Sequence, residues 1–223
     1  MGIVVGVDEA GRGPLIGDMF VAVVGIDSSR MGAVAAVGAR DSKSLDRDRR
    51  ESVFQKLLEV LDVVVVVRAS PSEIDSKNLN LLFIEKVCQG LRKVVKMGFS
   101  IEKIYVDACG DPARIRNSLT RCITGCEIVA EHGADAKYPI VGAASIVAKV
   151  LRDWHIDQLK SVYGDFGSGY PSDRRTIEWL KQWYQKHREI PPIVRRSWST
   201  IERVLGIRSV SSKTKTLLEY IRR

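Results

Sequence analysis

Residues 3–14 read IVVGVDEAGRGP, an apolar, strand-like run that ends in two carboxylates, a glycine-flanked arginine and a proline. Neighbouring side chains of a strand point to opposite faces, so Asp8 and Glu9 would meet at one point only where the strand ends and the backbone turns. Gly11 and Gly13 permit such a turn. Two close carboxylates repel each other unless a cation lies between them. The pattern therefore predicts a divalent metal site, and a plain polar exit from the strand is the alternative interpretation.

The composition is that of a globular protein with a basic surface. The chain has 223 residues, enough for one sizeable core, and its 45% apolar content argues against disorder. It carries 35 basic and 27 acidic side chains, and the resulting net charge of +8 suits a polyanionic partner such as nucleic acid. It has no apolar run of about 18 residues, as a membrane span needs, and its first strand leaves no room for a signal peptide. We therefore expect a cytoplasmic protein without a membrane span.

The four cysteines do not form a metal-binding pattern. Only Cys122 and Cys126 are close in sequence, and no second pair or suitably spaced histidine accompanies them. A zinc site is therefore not expected. In a cytoplasmic protein this pattern predicts reduced thiols with mostly structural roles.

Hydrophobic periodicity indicates an α/β chain. It predicts strands at residues 3–7, 19–26, 63–67, 101–106 and 127–130, and helices at 46–60, 79–97, 142–163 and 173–186. Pro71 predicts the start of a further short polar helix. The five consecutive valines at 63–67 predict a strand buried on both faces. Because strands come first and helices last, we expect one catalytic domain over residues 1–190. A basic helical extension, residues 191–223, would pack on the same domain.

Six segments together carry a family resemblance. They are DEAGRGP at 8–14, DSKSL at 41–45, YVD at 105–107, ADAKYP at 134–139 with AASIVAKVLRD at 143–153, GSGYP at 167–171, and RRSWST at 195–200. In this order and spacing they resemble ribonuclease HII, the type 2 ribonuclease H, in its archaeal form. The resemblance implies an RNase H-like fold, with a mixed five-stranded sheet flanked by helices and a C-terminal helical extension. Periodicity alone would not have selected that topology. The resemblance also implies a monomer.

Four acids match the catalytic residues of that family: Asp8, Glu9, Asp107 and Asp135. Asp8 and Asp107 also follow predicted strands directly, and active sites of α/β sheets usually lie at such strand ends. Carboxylate oxygens are the ligands that Mg²⁺ and Mn²⁺ prefer. Two such ions activate a water and stabilise the leaving oxygen of a phosphoryl displacement. The resemblance therefore implies a two-metal catalytic site with Asp8, Glu9 and Asp107 as its main metal ligands, and Asp135 would complete it.

The resemblance also implies how the substrate is read. DNA and RNA differ at the 2′-hydroxyl, so an enzyme that distinguishes them must contact the sugar. Gly11, Arg12 and Gly13 would present backbone groups and a guanidinium to that hydroxyl and its phosphate. Tyr170 would stack on the neighbouring deoxyribose, and an ordinary half-buried loop tyrosine is the alternative.

Four further polar residues are candidate phosphate contacts: Ser42, Lys43, Lys149 and Arg152. Such contacts position the nucleic-acid backbone and do not read bases. For Arg152, an ion pair with an acid such as Asp153 is an equally good interpretation. The basic C-terminal run would either clamp the duplex or form a solvated face.

These expectations add up to a metal-dependent endoribonuclease. It would hydrolyse the RNA strand of RNA/DNA hybrids and cut 5′ of ribonucleotides in duplex DNA, leaving 3′-hydroxyl and 5′-phosphate ends. A DNA nuclease of the same fold would not need the Gly-Arg-Gly segment and Tyr170. A non-catalytic hybrid-binding protein is the other alternative, but uncompensated carboxylates would hinder its binding of a polyanion.

Overall fold

The computed structural model describes residues 2–38 and 45–207 and contains the expected five-stranded mixed sheet. Its strands are β1 (Gly2–Ala10), β2 (Met19–Asp27), β3 (Val63–Ala69), β4 (Ser100–Asp107) and β5 (Glu127–Glu131). Their spatial order is β3-β2-β1-β4-β5. β1 and β3 are antiparallel to β2, whereas β4 is parallel to both β1 and β5.

Helices cover both faces of the sheet and follow its last strand. They are α1 (Met31–Ala36), α2 (Arg47–Val60), α3 (Pro71–Ser76), α4 (Leu79–Lys96), α5 (Pro112–Cys122), α6 (Ala134–Lys137), α7 (Pro139–Tyr163), α8 (Arg174–His187) and α9 (Ser199–Leu205). The four predicted long helices are confirmed as α2, α4, α7 and α8, with ends within three residues, and the short helix predicted to begin at Pro71 is confirmed as α3. The periodicity predicts none of the helices α1, α5 and α6. Within the described residues, no helix is both long and apolar enough to cross a bilayer.

The valine-rich strand β3 lies at the edge of the sheet, so the prediction of burial on both faces is wrong. Val63, Val65 and Val67 are buried in the core beneath α4. Val64 and Val66, on the other face, are only partly buried. An edge position leaves part of one face open to solvent, and the sequence of a strand does not encode that position.

Two apolar layers hold the helices on the sheet. On one face, α4 and α5 pack with the odd-numbered residues of β1; on the other, α7 packs across β1 and β2 with α2 outside it. Gly6 makes the second contact possible. A Cβ at Gly6 would lie 2.2 Å from the carbonyl oxygen of Ile140, at the start of α7. The close approach of α7 to β1 therefore depends on glycine at position 6.

A third apolar cluster joins the C-terminal segment to the loop after β1. It contains Leu15 and Ile16 from that loop, Phe166, and Ile201 of α9. Ile16 also forms an antiparallel bridge with Val194. The described part of the C-terminal segment is thus packed against the loop that follows the strand with the first two acids.

The prediction of reduced thiols is wrong for two of the four cysteines. Cys88 of α4 and Cys122 of α5 form a disulfide, with their Cα atoms 5.9 Å apart. Cys109 and Cys126 are free. The bonded pair is 34 residues apart in sequence, so only the packing of α4 against α5 brings it together.

Candidate active site

Three of the predicted acids converge where the parallel strands β1 and β4 end, at the carboxyl-terminal end of these strands. β1 and β4 are parallel neighbours, and Val7 is paired with Val106, so the residues that follow, Asp8 and Asp107, lie side by side. Asp135 comes from α6, directly after β5. The α6 backbone is tied to β4, because the Ala134 N–H donates to Oδ1 of Asp107 at 3.0 Å.

The expected turn after residue 7 is wrong, and this changes how Asp8 and Glu9 are arranged. β1 continues to Ala10, with Asp8 paired to Ala22 and Glu9 to Val21 of β2. Side chains therefore still alternate at the two acids. Asp8 faces α7, where the Ser145 hydroxyl donates a hydrogen bond to its carboxylate. Glu9 extends from the opposite face, near Arg12.

The carboxylates share one electrostatic environment. Burial raises the pKa of Asp8 well above its ordinary value, and the charges of Glu9 and Asp107 raise it further. Burial also raises the pKa of Glu9 to about 7; Arg12 opposes this shift and Asp107 adds to it. Carboxyl groups in this state hold protons until a cation replaces them.

The ligands at this end of the strands are suited to a hard cation. Asp8, Asp107 and Asp135 each offer a carboxylate oxygen, and these oxygens lie within 4.8 Å of one another. Within the described residues the group contains neither histidine nor cysteine. Oxygen-only ligands favour Mg²⁺ or Mn²⁺ over zinc. Glu9 lies outside this group, although Asp107 is close enough to influence its pKa.

Arg12 of the Gly-Arg-Gly segment is held by two residues that the sequence did not point to. Its guanidinium donates to the side-chain oxygen of Asn80, in the first turn of α4. It also donates to Sγ of Cys109 at 3.1 Å. Burial and the neighbouring Glu9 raise the pKa of Cys109 to about 12, so this thiol stays neutral. Only the fold reveals these partners, since they follow β3 and β4 in the chain.

A cleft beside the acids collects most of the predicted substrate contacts. It is lined by Glu9, Ala10, Gly11, Arg12, Gly13, Arg50, Lys149, Arg152, Asp153 and Tyr170. Tyr170 is 39% exposed. A Cβ at Gly13 would lie 3.8 Å from its ring, and the Arg152 guanidinium carbon is 5.3 Å from its ring centre. The glycine segment, Tyr170 and the basic residues of α7 therefore line one surface.

For Arg152 the structure shows the ion pair that the sequence left open, and the phosphate contact stays a prediction. Its Nη1 lies 3.4 Å from Asp153, which is a long ion pair. Its Nε and Nη2 are buried and have no hydrogen-bond partner among the described residues. Asp153 is paired more closely with Arg50, at 2.9 Å. Arg152 thus keeps two N–H groups for an additional acceptor, and Arg50 is a cleft residue that the motifs did not single out.

Two candidates cannot be placed in this cleft. Ser42 and Lys43 lie outside the described residues, so their predicted phosphate contacts stay predictions.

Comparisons of the sequence and of the structure with known proteins agree on one family. The family model described as Ribonuclease HII matches residues 5–201. Ribonuclease HII of Pyrococcus abyssi is 43% identical over 205 residues, which cover 90% of each protein. The crystal structure of ribonuclease H2 from Pyrococcus horikoshii OT3 is similar with a TM-score of 0.85 at 44% identity, covering 92% of this chain and 97% of that one. A structure of the PCNA:RNase HII complex from Archaeoglobus fulgidus is similar with a TM-score of 0.79 at 37% identity, covering 97% of this chain and 99% of that one.

Proposed function

The chain belongs to the ribonuclease HII family and is a metal-dependent ribonuclease that acts on RNA/DNA hybrids, and from this premise we propose a finer activity. It cuts the phosphodiester bond 5′ of a ribonucleotide, including a single ribonucleotide embedded in duplex DNA. The products carry 3′-hydroxyl and 5′-phosphate ends.

One observation carries this proposal. The convergent carboxylates lie beside a cleft that also contains the Gly11–Gly13 segment and Tyr170. Cleavage next to an isolated ribonucleotide requires the reacting phosphate and the distinguishing 2′-hydroxyl to be held at the same time. A cleft with acids at one end and a sugar-contacting loop beside an aromatic ring meets both requirements.

Asp8, Asp107 and Asp135 would hold the divalent ions, and Glu9 is the fourth acid that we assign to the site. When bound, two ions supply the Lewis acid chemistry that activates water and stabilises the leaving oxygen. Ser145 orients the Asp8 carboxylate by its hydrogen bond. The Ala134 N–H fixes one oxygen of Asp107, which leaves the other free to turn toward the cluster.

Lys149 and Arg152 would position the nucleic-acid backbone. Both line the cleft on α7. Arg152 has two buried N–H groups without a partner among the described residues, and a phosphate oxygen is the acceptor that a guanidinium fork matches best. Tyr170, held next to Arg152 and Gly13, would stack on the deoxyribose that follows the ribonucleotide.

The test uses three end-labelled duplexes of one sequence: one with a single ribonucleotide, one RNA/DNA hybrid and one all DNA. Each is incubated with Mg²⁺, with Mn²⁺ or with EDTA. We expect metal-dependent cutting 5′ of the lone ribonucleotide while the all-DNA duplex stays intact. Cutting of all-DNA would refute the sugar-reading role of the Gly11–Gly13 segment and Tyr170. Binding without cutting in either metal would favour a hybrid-binding protein.

The same experiment shows which metal supports the faster cleavage, since the rates in Mg²⁺ and Mn²⁺ are compared directly on one substrate.

We further infer that the protein acts as a monomer in the cytoplasm, on RNA/DNA hybrids and on DNA that contains ribonucleotides. The molar mass from light scattering of the purified protein, alone and with the single-ribonucleotide duplex, tests whether it is a monomer.

A further inference from the structure

Arg195 is the largest fully buried side chain in the described residues, with 0% exposure. Its guanidinium donates only to backbone carbonyls of the loop after β1. Nε donates to Gly17 at 2.9 Å, Nη1 to Arg12 at 2.9 Å and Nη2 to Gly11 at 2.5 Å. The Arg195 backbone N–H also donates to the carbonyl of Leu15 at 2.9 Å. One side chain from the C-terminal segment therefore holds the backbone of the Gly-Arg-Gly segment.

A buried guanidinium of this kind is costly, which points to a role beyond packing. Asp18 and Asp75 are near enough to favour its charge, but no carboxylate forms an ion pair with Arg195 in the part of the chain that the structure describes. Burial lowers the pKa of Arg195 to about 9, with the nearby charge of Arg152 acting in the same direction. The side chain still carries its proton at neutral pH, so its three bonds to carbonyls are charge-assisted. Burying a charge costs free energy, and its hydrogen bonds offset that cost only in part.

Two further contacts fix the same loop. The Trp198 indole N–H donates to the carbonyl of Gly13 at 3.2 Å, and the indole ring lies 5.1 Å from the Arg195 guanidinium carbon. The carbonyl of Gly169, the residue before Tyr170, accepts from the N–H groups of residues 15 and 16 at 2.8 and 3.1 Å. The segment that carries Arg195 and the one that carries Tyr170 are thus joined through this loop.

Peptide geometry shows what this arrangement does to the loop. All described peptide bonds are trans, so each C=O points away from the N–H of the next residue. The carbonyls of Gly11 and Arg12 face Arg195, and the N–H groups of Arg12 and Gly13 must therefore face away from it. The carbonyl of Gly13 faces Trp198, and the residue that follows it is proline, which has no N–H. Two backbone donors are left on the side of the loop opposite Arg195.

We propose that Arg195 and Trp198 form a positioning clamp that aims the Arg12 and Gly13 N–H groups at the ribonucleotide in the cleft. The inference rests on the proposed function, since it concerns how the Gly11–Gly13 segment reads the sugar. In this arrangement the C-terminal segment contributes to substrate discrimination without touching the substrate. Residues 191–207 are then part of the catalytic apparatus and not a separate basic appendage.

The experiment compares R195K, R195M and W198F with the wild type. R195K keeps the charge but loses the planar fork, R195M loses every side-chain bond to the loop, and W198F loses only the N–H that reaches Gly13. R30M is the matched control, because Arg30 also donates to a backbone carbonyl, that of Val60 at 2.9 Å, but at the other end of the sheet. Circular dichroism and thermal unfolding select conditions in which each variant is folded.

Two quantities are measured for each folded variant: the single-turnover rate on the lone-ribonucleotide duplex and the Kd for the matched all-DNA duplex. We expect the rate to fall about 100-fold in R195M, because misplacing a reacting group by about 1 Å costs that much. In W198F it should fall about five-fold, the equivalent of one ordinary hydrogen bond. The Kd for all-DNA should be unchanged in every variant, since phosphate contacts do not depend on the clamp. A merely structural role would move both quantities together or neither.

The outcomes separate the two proposals. If the wild type does not distinguish a lone ribonucleotide from DNA, the proposed function is refuted and this inference with it. If the wild type distinguishes them and folded Arg195 variants cut at the wild-type rate, only the clamp is refuted. Should both Arg195 variants fail to fold, W198F decides, because it leaves the buried charge in place: an unchanged rate in W198F refutes the clamp.

Discussion

The carboxyl group of Glu9 makes the stability of the metal-free protein depend on pH. Burial raises the pKa of Glu9 from 4.5 to about 7. The folded state therefore binds this proton more tightly than the unfolded state does. The resulting stability is fully present below the unfolded pKa and is lost as pH rises through the folded pKa. The difference between 4.5 and about 7 corresponds to about 3 kcal/mol, at roughly 1.4 kcal/mol per pKa unit.

Replacing Glu9 with glutamine removes this titration while keeping the size of the side chain. Urea unfolding in EDTA at about pH 5 and about pH 8 gives the free energy of unfolding for both proteins. We expect the wild type to lose up to about 3 kcal/mol more than E9Q across this range. Ionisation of Asp8 should lower the free energy of unfolding of both proteins as the pH rises, since the pKa of Asp8 is also raised. The matched control is E59Q, at an exposed glutamate of α2, which should follow the wild-type curve.

Divalent metal should reverse this dependence. A cation binds the deprotonated carboxylates, so added Mg²⁺ should stabilise the wild type more at the higher pH. Parallel pH dependence of wild type and E9Q in EDTA would refute the reasoning, because it would mean that Glu9 keeps its ordinary pKa in the fold.

Three other substitutions test separate parts of the structure. D107N should reduce cleavage in Mg²⁺ to background, with an unchanged circular dichroism spectrum, because it removes one acid from the three-carboxylate group; robust turnover would remove Asp107 from the metal site. G6A should cost at least about 3 kcal/mol in urea unfolding, since its Cβ would collide with the α7 backbone, whereas G32A, in open space, should be neutral or stabilising. C88S should lower the free energy of unfolding by about 4 kcal/mol, because the Cys88–Cys122 bond closes a 34-residue loop; equal stability of oxidised wild type and C88S would contradict this.

Local patterns in the sequence predicted the five strands and the long helices, whereas the four acids were assigned with the help of the family resemblance. The apolar run before Asp8 and the period of the long helices depend only on neighbouring residues, and these predictions hold to within a few residues. The acids also stand at or just after strand ends, where parallel neighbours in a sheet bring side chains together. The sequence therefore predicted both the type of site and the end of the strands at which it lies.

The sequence did not determine where β1 ends or which face Glu9 takes. Pairing with β2 extends the strand through both acids to Ala10, so Asp8 and Glu9 start from opposite faces although their carboxyl groups still share a hydrogen bond. The pKa of Glu9 is likewise a property of the fold, because burial and the charges of Arg12 and Asp107 set it. Burial and the charge of Asp107 cannot be read from the immediate neighbours of Glu9 in the sequence.

The sequence by itself determined which residues could do the chemistry; only the tertiary structure decided which distant partners hold them in place. Arg12 meets Asn80 and Cys109, Arg195 reaches the loop after β1, and Cys88 bonds to Cys122. Each of these contacts joins segments that are at least 34 residues apart. The physical reason is that periodicity and turn chemistry act over a few residues, whereas strand order and helix packing select the partners of side chains across the chain.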